Sequence, residues 1–184
     1  MGAHPWHDLP NNPDTAAKFF NAVIEISRGS KVKYELDKPT GLLRVDRILH
    51  SSVVYPANYG FIPRSYCDDG DPLDVLVLGY EPVQPLCIMQ VRAIGMMRMV
   101  DEGESDDKVI AIHIHDPSFN QYQDIDELPR HVVREIERFF CDYKVLENKQ
   151  VEVSDFLGAT KAVEALIESF AHYRREESRL RGWG

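Results

Sequence analysis

Residues 68–80 read DDGDPLDVLVLGY. The stretch changes character at Asp74, with acids and turn formers before it and an apolar run after it. A short apolar run bounded by Gly and Pro predicts a buried β-strand. Pro72 has no N–H to give a ladder, so it marks the edge or the start of that strand. Asp69 and Asp71 are two apart, and an extended chain points both side chains the same way. Asp74 then stands at the lip of the apolar run. Two unit charges about 4 Å apart at an effective dielectric near 20 repel by roughly 4 kcal/mol. Converging carboxylates therefore spread into water or are neutralised by a cation. The DxDxxD spacing alone fits both a solvated surface turn and a hard-cation site. It is not an EF-hand loop, because Leu73 and Asp74 stand where that loop needs an acid or amide followed by Gly.

Similar β-type runs recur on either side: NAVIEIS (21–27), KVKYELD (31–37), GLLRVDRIL (41–49), LCIMQVRAIGMMRM (86–99), KVIAIHIH (108–115) and QVEVS (150–154). Clusters of Gly, Pro and Asp separate them, which predicts a small barrel or sandwich. KVKYELD alternates, with Lys31, Lys33, Glu35 and Asp37 on one face and Val32, Tyr34 and Leu36 on the core-facing other. Two stretches change to helical spacing. Val132, Val133, Ile136, Phe139, Phe140 and Tyr143 form one apolar stripe, with Pro129 suited to a first turn. Val163, Leu166, Ile167, Phe170 and Tyr173 form the other, and both stripes predict core-facing helices. The expected organisation is an irregular, Pro- and Asn-rich arm over 1–18, one domain over 19–175, and a fraying tail over 176–184.

The chain has 184 residues, 43% hydrophobic and 28% charged, which suits one globular domain with a real core. No stretch approaches the roughly 18–20 apolar residues that cross a bilayer. The opening MGAHPWHDLP reads as neither a signal peptide nor a myristoylation site. Cys67, Cys87 and Cys141 are irregularly spaced, so reduced thiols in a cytoplasmic setting are expected rather than a disulfide framework. A net charge of −9 argues against a nucleic-acid partner. An acidic protein whose ligand is an anion needs cations as intermediaries.

Two further polar clusters stand out. VDEGESDDK (100–108) holds Asp101, Glu102, Asp106 and Lys108, and reads equally as a polar hairpin loop. YPANYG (55–60) places Tyr55 and Tyr59 four apart, as a packed turn or as a pair of phenol donors. His113 and His115 sit in a β-type run and are read as structural, imidazole being a poor ligand for a hard cation.

In order along the chain, IEIS with Glu25, KYE with Lys33 and Glu35, VDR with Arg47, YPANYG with Tyr55 and Tyr59, and DGDPLDV with Asp69, Asp71 and Asp74 resemble the motifs of family I soluble inorganic pyrophosphatases. DE and DDK, with Asp101, Glu102, Asp106 and Lys108, and FFCDYK, with Tyr143 and Lys144, complete the set. The resemblance spans about Asn21 to Phe170, and AHPWHDL and SSVVYPANYGF look most like plant-type members. It implies an α+β, mainly β protein, with a five-stranded, closed, oligonucleotide/oligosaccharide-binding (OB)-like barrel core, flanking strands and two helices. It implies hydrolysis of diphosphate to two phosphates with several Mg²⁺ ions, and a homo-oligomer, a trimer or hexamer, with no membrane or nucleic-acid partner.

By the same resemblance, Asp69, Asp74 and Asp106 hold one ion, with Asp74 bridging to a second. Asp101 and Asp106 hold a third, and Glu25 and Glu35 assist another. Asp71 is the general base, with Asp106 the rival for that role. Lys33, Arg47 and Lys144 meet substrate phosphate, Tyr59 and Tyr143 donate hydroxyl hydrogen bonds, and Lys108 pairs with the metal-binding carboxylates. Tyr55 and Glu102 are supporting. Two other functions compete with this expectation: an oligonucleotide-binding module, which needs a basic groove with stacking aromatics, and a nucleotide or polyphosphate hydrolase, although no GxxxxGK[ST] loop is present.

Overall fold

Both faces of the 75–78 run are covered, which is why it is apolar without alternating. In the computed structural model, which describes residues 3–182, Asp74–Leu78 forms β5 and Val75 to Leu78 are all buried. Leu76 and Leu78 pack with Ile136, Phe139 and Phe140 of helix α1 (Arg130–Asp142), while Val75 and Val77 pack with Leu166 and Phe170 of helix α2 (Ala159–Leu180).

β5 lies between β4 (Asn58–Phe61), antiparallel, and β8 (Lys108–His113), parallel. The long strand β6 (Ile88–Asp101) pairs with β8 and, through its first four residues, with β1 (Phe20–Ile26), which pairs in turn with β4. The pairings β1–β4–β5–β8–β6–β1 thus close a ring of five strands. The expected five-stranded closed core in a mainly β protein with two helices is this ring. The second half of β6 carries β9 (Val151–Gly158), and its end turns into the two-residue β7 (Glu104–Ser105). β2 (Val32–Asp37) and β3 (Leu42–Ile48) pair only with each other, as a separate two-stranded sheet.

That separation explains one difference from the alternation of KVKYELD. Val32, Tyr34 and Leu36 are only half-buried, because the hairpin leans on the domain without a core of its own. On α2 the buried stripe is Ala162, Leu166, Ser169, Phe170 and Tyr173, and Ile167 is exposed, so the stripe runs slightly to one side of the predicted one. Pro129 is the residue before α1 rather than part of its first turn. The arm is packed: Trp6 is 2% exposed and its indole N–H donates to the Ser65 carbonyl at 2.9 Å, while buried His7 meets the Tyr173 hydroxyl at 2.7 Å. Helix α2 continues to Leu180 where a fraying tail was expected, and Arg181 pairs with Glu177 and with Asp8 of the arm, each at 2.8 Å. Residues 183 and 184 of that expected tail lie outside the described residues.

Gly60 marks the tightest approach inside the ring. A Cβ there would stand 1.9 Å from the Val23 carbonyl oxygen and 2.8 Å from the Ile24 Cα, backbone atoms that cannot swing aside. Gly60→Ala is expected to destabilise the protein by about 3 kcal/mol or more through forced separation of β1 and β4, read as a fall in the urea midpoint. A midpoint within error of wild type would show that the ring yields at this point.

Candidate active site

The strand register builds the site. Parallel pairing sets Asp74, the first residue of β5, beside Lys108, the first of β8. Tyr59, two residues from the end of β4, reaches the same point. The Lys108 ammonium donates to Asp74 at 2.8 Å and to Asp106 at 2.7 Å, and lies 3.1 Å from the Tyr59 hydroxyl. Tyr59 donates to the same Asp74 oxygen. Lys108 is 2% exposed and lies over the rings of Tyr59 and Phe140, at 5.4 and 5.5 Å from their centroids. A cation in so dry a place persists only when paired, and the two carboxylates hold its pKa well above the usual lysine value against desolvation.

Around this centre opens a cleft of about 290 Å³. One wall is the 68–74 turn, where Asp69 accepts the Asp71 N–H at 2.9 Å and Gly70 takes φ of +87°. Another is the end of β6 and of α1, where Asp101 receives the Lys144 ammonium and, at 3.4 Å, the Tyr143 hydroxyl. The roof is the β2–β3 hairpin, from which Lys33 pairs with Glu35 and Asp46. Glu25 of β1 fastens the hairpin by accepting the Leu36 N–H at 2.6 Å. Tyr55 is buried behind the site, tilted on Phe139 and Tyr59 with centroids 4.7 and 5.3 Å away.

Seven carboxylates line this cleft against four ammonium groups. Burial, with that crowding added, shows in the titration of three of the acids. Burial, with Asp71, Asp74 and Asp106 adding repulsion, pushes Asp69 up to about 6. Burial and the Asp74 charge push Glu25 to about 8. Asp106 is also raised, by burial first and then by its carboxylate neighbours, with Lys108 opposing. Among the described residues, no three His, Cys, Asp or Glu side chains stand close enough to grip a metal ion. Ammonium groups hold the carboxylates instead, and one buried oxygen, Oδ1 of Asp101, has no hydrogen-bond partner.

Thirteen of the fifteen sequence-predicted residues line the cleft, Asp106 among them. Arg47 and Glu102 do not. Arg47 faces Lys33 across the hairpin but pairs with Asp46 and, at 2.9 Å, with Glu147. Glu102 takes φ of +49° in the turn joining β6 to β7 and pairs with Lys149 at 3.0 Å, on the outer surface. Lys38 also lines the cleft and escaped the sequence reading, since it lies in the DKPTG hairpin turn, where no periodicity marks direction.

Two outcomes follow for the protein held in chelator. Lys108→Met, which leaves Asp106 without its cation and Asp74 with only the Tyr59 hydroxyl, is expected to cost about 3 kcal/mol of stability at pH 7, measured by urea unfolding; a loss under about 1 kcal/mol would mean the carboxylates do not depend on that cation. Glu25 has a folded pKa raised from 4.5 to about 8, so its contribution is complete below 4.5 and is lost as pH rises through 8. Glu25→Gln is therefore expected to gain stability on wild type progressively across that window, and a pH-independent difference would contradict it.

The chain was compared with known proteins. A family model described as inorganic pyrophosphatase matches residues 22–174. Soluble inorganic pyrophosphatase 1 of Arabidopsis thaliana is 59% identical over 173 residues, covering 94% of this chain and 81% of that protein. Soluble inorganic pyrophosphatase 2 of Chlamydomonas reinhardtii is 58% identical over 172 residues, 94% of this chain and 89% of the relative. The crystal structure of inorganic pyrophosphatase from Thermus thermophilus superposes with a TM-score of 0.89 at 38% identity, covering 94% of this chain and 99% of that one. With ring, cleft and sequence in agreement along almost its whole length, the chain belongs to the inorganic pyrophosphatase family, and its relatives place it with the plant-type members.

Proposed function

We propose that this protein hydrolyses inorganic pyrophosphate to two orthophosphates, with Mg²⁺ as its cofactor. The observation that carries the reading is one cleft in which seven carboxylates face four ammonium groups, in a chain of this family. An anionic substrate cannot enter such a field unless cations balance it. The donors suit a hard dication: all are oxygens, one is a buried carboxylate oxygen without a partner, and Asp69 is pushed up towards protonation by its surroundings. Magnesium keeps several waters and needs no closed protein cage. Asp69, Asp74 and Asp106 would hold one ion, with Asp74 shared with a second. Asp101 and Asp106 would hold another, and Glu25 and Glu35 would assist directly or through water. When bound, the metal supplies acidified water and neutralises phosphoryl oxygens.

The chain's own groups do the rest. Lys33 and Lys144 approach as point charges on terminal oxygens, and Tyr59 and Tyr143 offer hydroxyl donors. Arg47 adds a planar fork once it exchanges Asp46 and Glu147 for phosphate. A water oxygen attacks one phosphorus, the bond to the bridging oxygen breaks, and the attacking water's proton passes to Asp71, at the mouth of the cleft. Asp106 is the weaker candidate for that proton because buried Lys108 holds its carboxylate, whereas the Lys38 paired with Asp71 is about half exposed. A homo-oligomer, a trimer or hexamer, in the cytoplasm belongs to the same proposal. It is supported by exposed apolar side chains such as Leu42, Val45 and Leu146. No helix among the described residues is long and apolar enough to cross a membrane.

Phosphate release is expected from pyrophosphate with Mg²⁺ at least ~100-fold faster than from ATP or tripolyphosphate, and to stop on chelation; equal rates on ATP would defeat the reading. Asp71→Asn is expected to lower kcat by about 10²–10⁴ while Mg²⁺ binding persists. Near-normal turnover there, with Asp106→Asn inactive and still binding Mg²⁺, would move the base to Asp106.

A further inference from the structure

One cleft residue takes no part in the chemistry above. Lys38, in the turn between β2 and β3, reaches to the acidic 69–71 turn, where its ammonium pairs with the Asp71 carboxylate and donates to the Gly70 carbonyl at 3.2 Å. The same ammonium stands 5.8 Å from the centre of the Trp6 ring. The Lys38 carbonyl meets His4 Nε2 at 2.8 Å, so the N-terminal arm holds the turn from behind. Gly41 lies so close to the arm that a Cβ would come within 3.1 Å of the Pro5 ring and 3.3 Å of the His4 ring. Trp6 is tied to the Ser65 carbonyl, and the Ser65 hydroxyl accepts the Leu73 N–H at 2.7 Å, inside the acidic segment itself. Hairpin turn, arm and acidic turn thus meet around one side chain.

Little else fixes the roof of the cleft. The hairpin shares no ladder with the seven-stranded sheet and has no fully buried residue. Its other ties among the described residues are the Glu25–Leu36 hydrogen bond, the Arg47–Glu147 pair and the packing of half-buried Tyr34 and Leu36 against the core. Position along the hairpin sets where Lys33 stands, and the far side of the latch is the carboxylate assigned the proton.

We propose that Lys38 is a positioning residue for this cleft: it latches the hairpin to the 69–71 turn, orienting Asp71 and, through the hairpin, Lys33, and the arm positions Lys38. This rests on the pyrophosphatase reading above. Lys38 and Asp71 are each about half exposed, so their pair contributes little to global stability. Its effect belongs in the rate, where small misplacements of reacting groups are costly.

The test is steady-state hydrolysis of pyrophosphate at saturating Mg²⁺, with urea unfolding alongside. Lys38→Met is expected to lower kcat about tenfold or more with an unchanged urea midpoint, and Lys38→Arg to return most of the rate. In an Asp71→Asn background, Lys38→Met is expected to change kcat less than twofold, because the ion pair that closes the latch is already broken. His4→Ala, which removes the arm's bond to the turn together with an acceptor for the Trp6 N–H and the stack on His7, is expected to lower kcat at least twofold, and no loss would remove the arm from the proposal. A Lys38→Met enzyme with wild-type kcat overturns the latch, as does a rise in KM alone in both backgrounds, the mark of a simple substrate contact. Should the wild-type protein leave pyrophosphate intact, the pyrophosphatase reading fails, and hydrogen exchange over 38–41 then judges the latch. Faster exchange in Lys38→Met but not Lys38→Arg supports it, and identical exchange in all three overturns it.

Discussion

The Lys108 ammonium, buried between the carboxylates of Asp74 and Asp106, is the contact on which the site is built. Desolvating three charges is costly, and only close hydrogen-bonded geometry offsets it. The parallel register of β5 and β8 provides that geometry, setting Asp74 and Lys108 side by side at the same end of two paired strands. Aromatic faces of Tyr59 and Phe140 cover the ammonium, so the pairing also connects β4 and α1 to the cleft floor. Fold and site therefore share a core: the ring cannot shift its register without taking apart the acidic centre.

The cleft has a floor and a roof of different mechanical character. The floor is made from strand ends of the closed ring, with both faces of β5 covered by helices. The roof is a two-stranded hairpin with no fully buried residue, held by a few polar ties and by half-buried Tyr34 and Leu36. Low burial makes local opening easy, which suits the part of a site that must admit a charged substrate and release two charged products. Acids line the floor and walls while Lys33 stands on the roof, so cationic and anionic groups face each other across the cleft.

Much of this was legible from the amino-acid order. Runs such as DVLVLGY and KVIAIHIH became β5 and β8, because uninterrupted apolar stretches between turn formers have few other ways to be buried. β4 was not legible as a strand: four residues including a glycine are too few to show a period, and its Tyr59 reads as easily as a turn residue. Glu102 sits beside Asp101 in sequence but leaves the cleft at a turn with positive φ, where neighbouring side chains diverge. The end of α2 reads as a fraying tail, since nothing local shows that the arm will meet Arg181. Lys38 is hidden for the same reason, as its partners are a tryptophan and an aspartate on either side of it in sequence, 32 and 33 positions away.

The sequence by itself determined the chemistry's raw material: an acidic, oxygen-rich set of side chains, a handful of lysines among them, and apolar runs able to carry them on strands. It also determined the family to which those motifs belong. Which carboxylate meets which cation was decided only in three dimensions. Asp74 finds Lys108 across 34 residues and Asp101 finds Lys144 across 43. Such pairings follow from strand register and helix docking, and these are set by burial of the whole core rather than by any short stretch of chain.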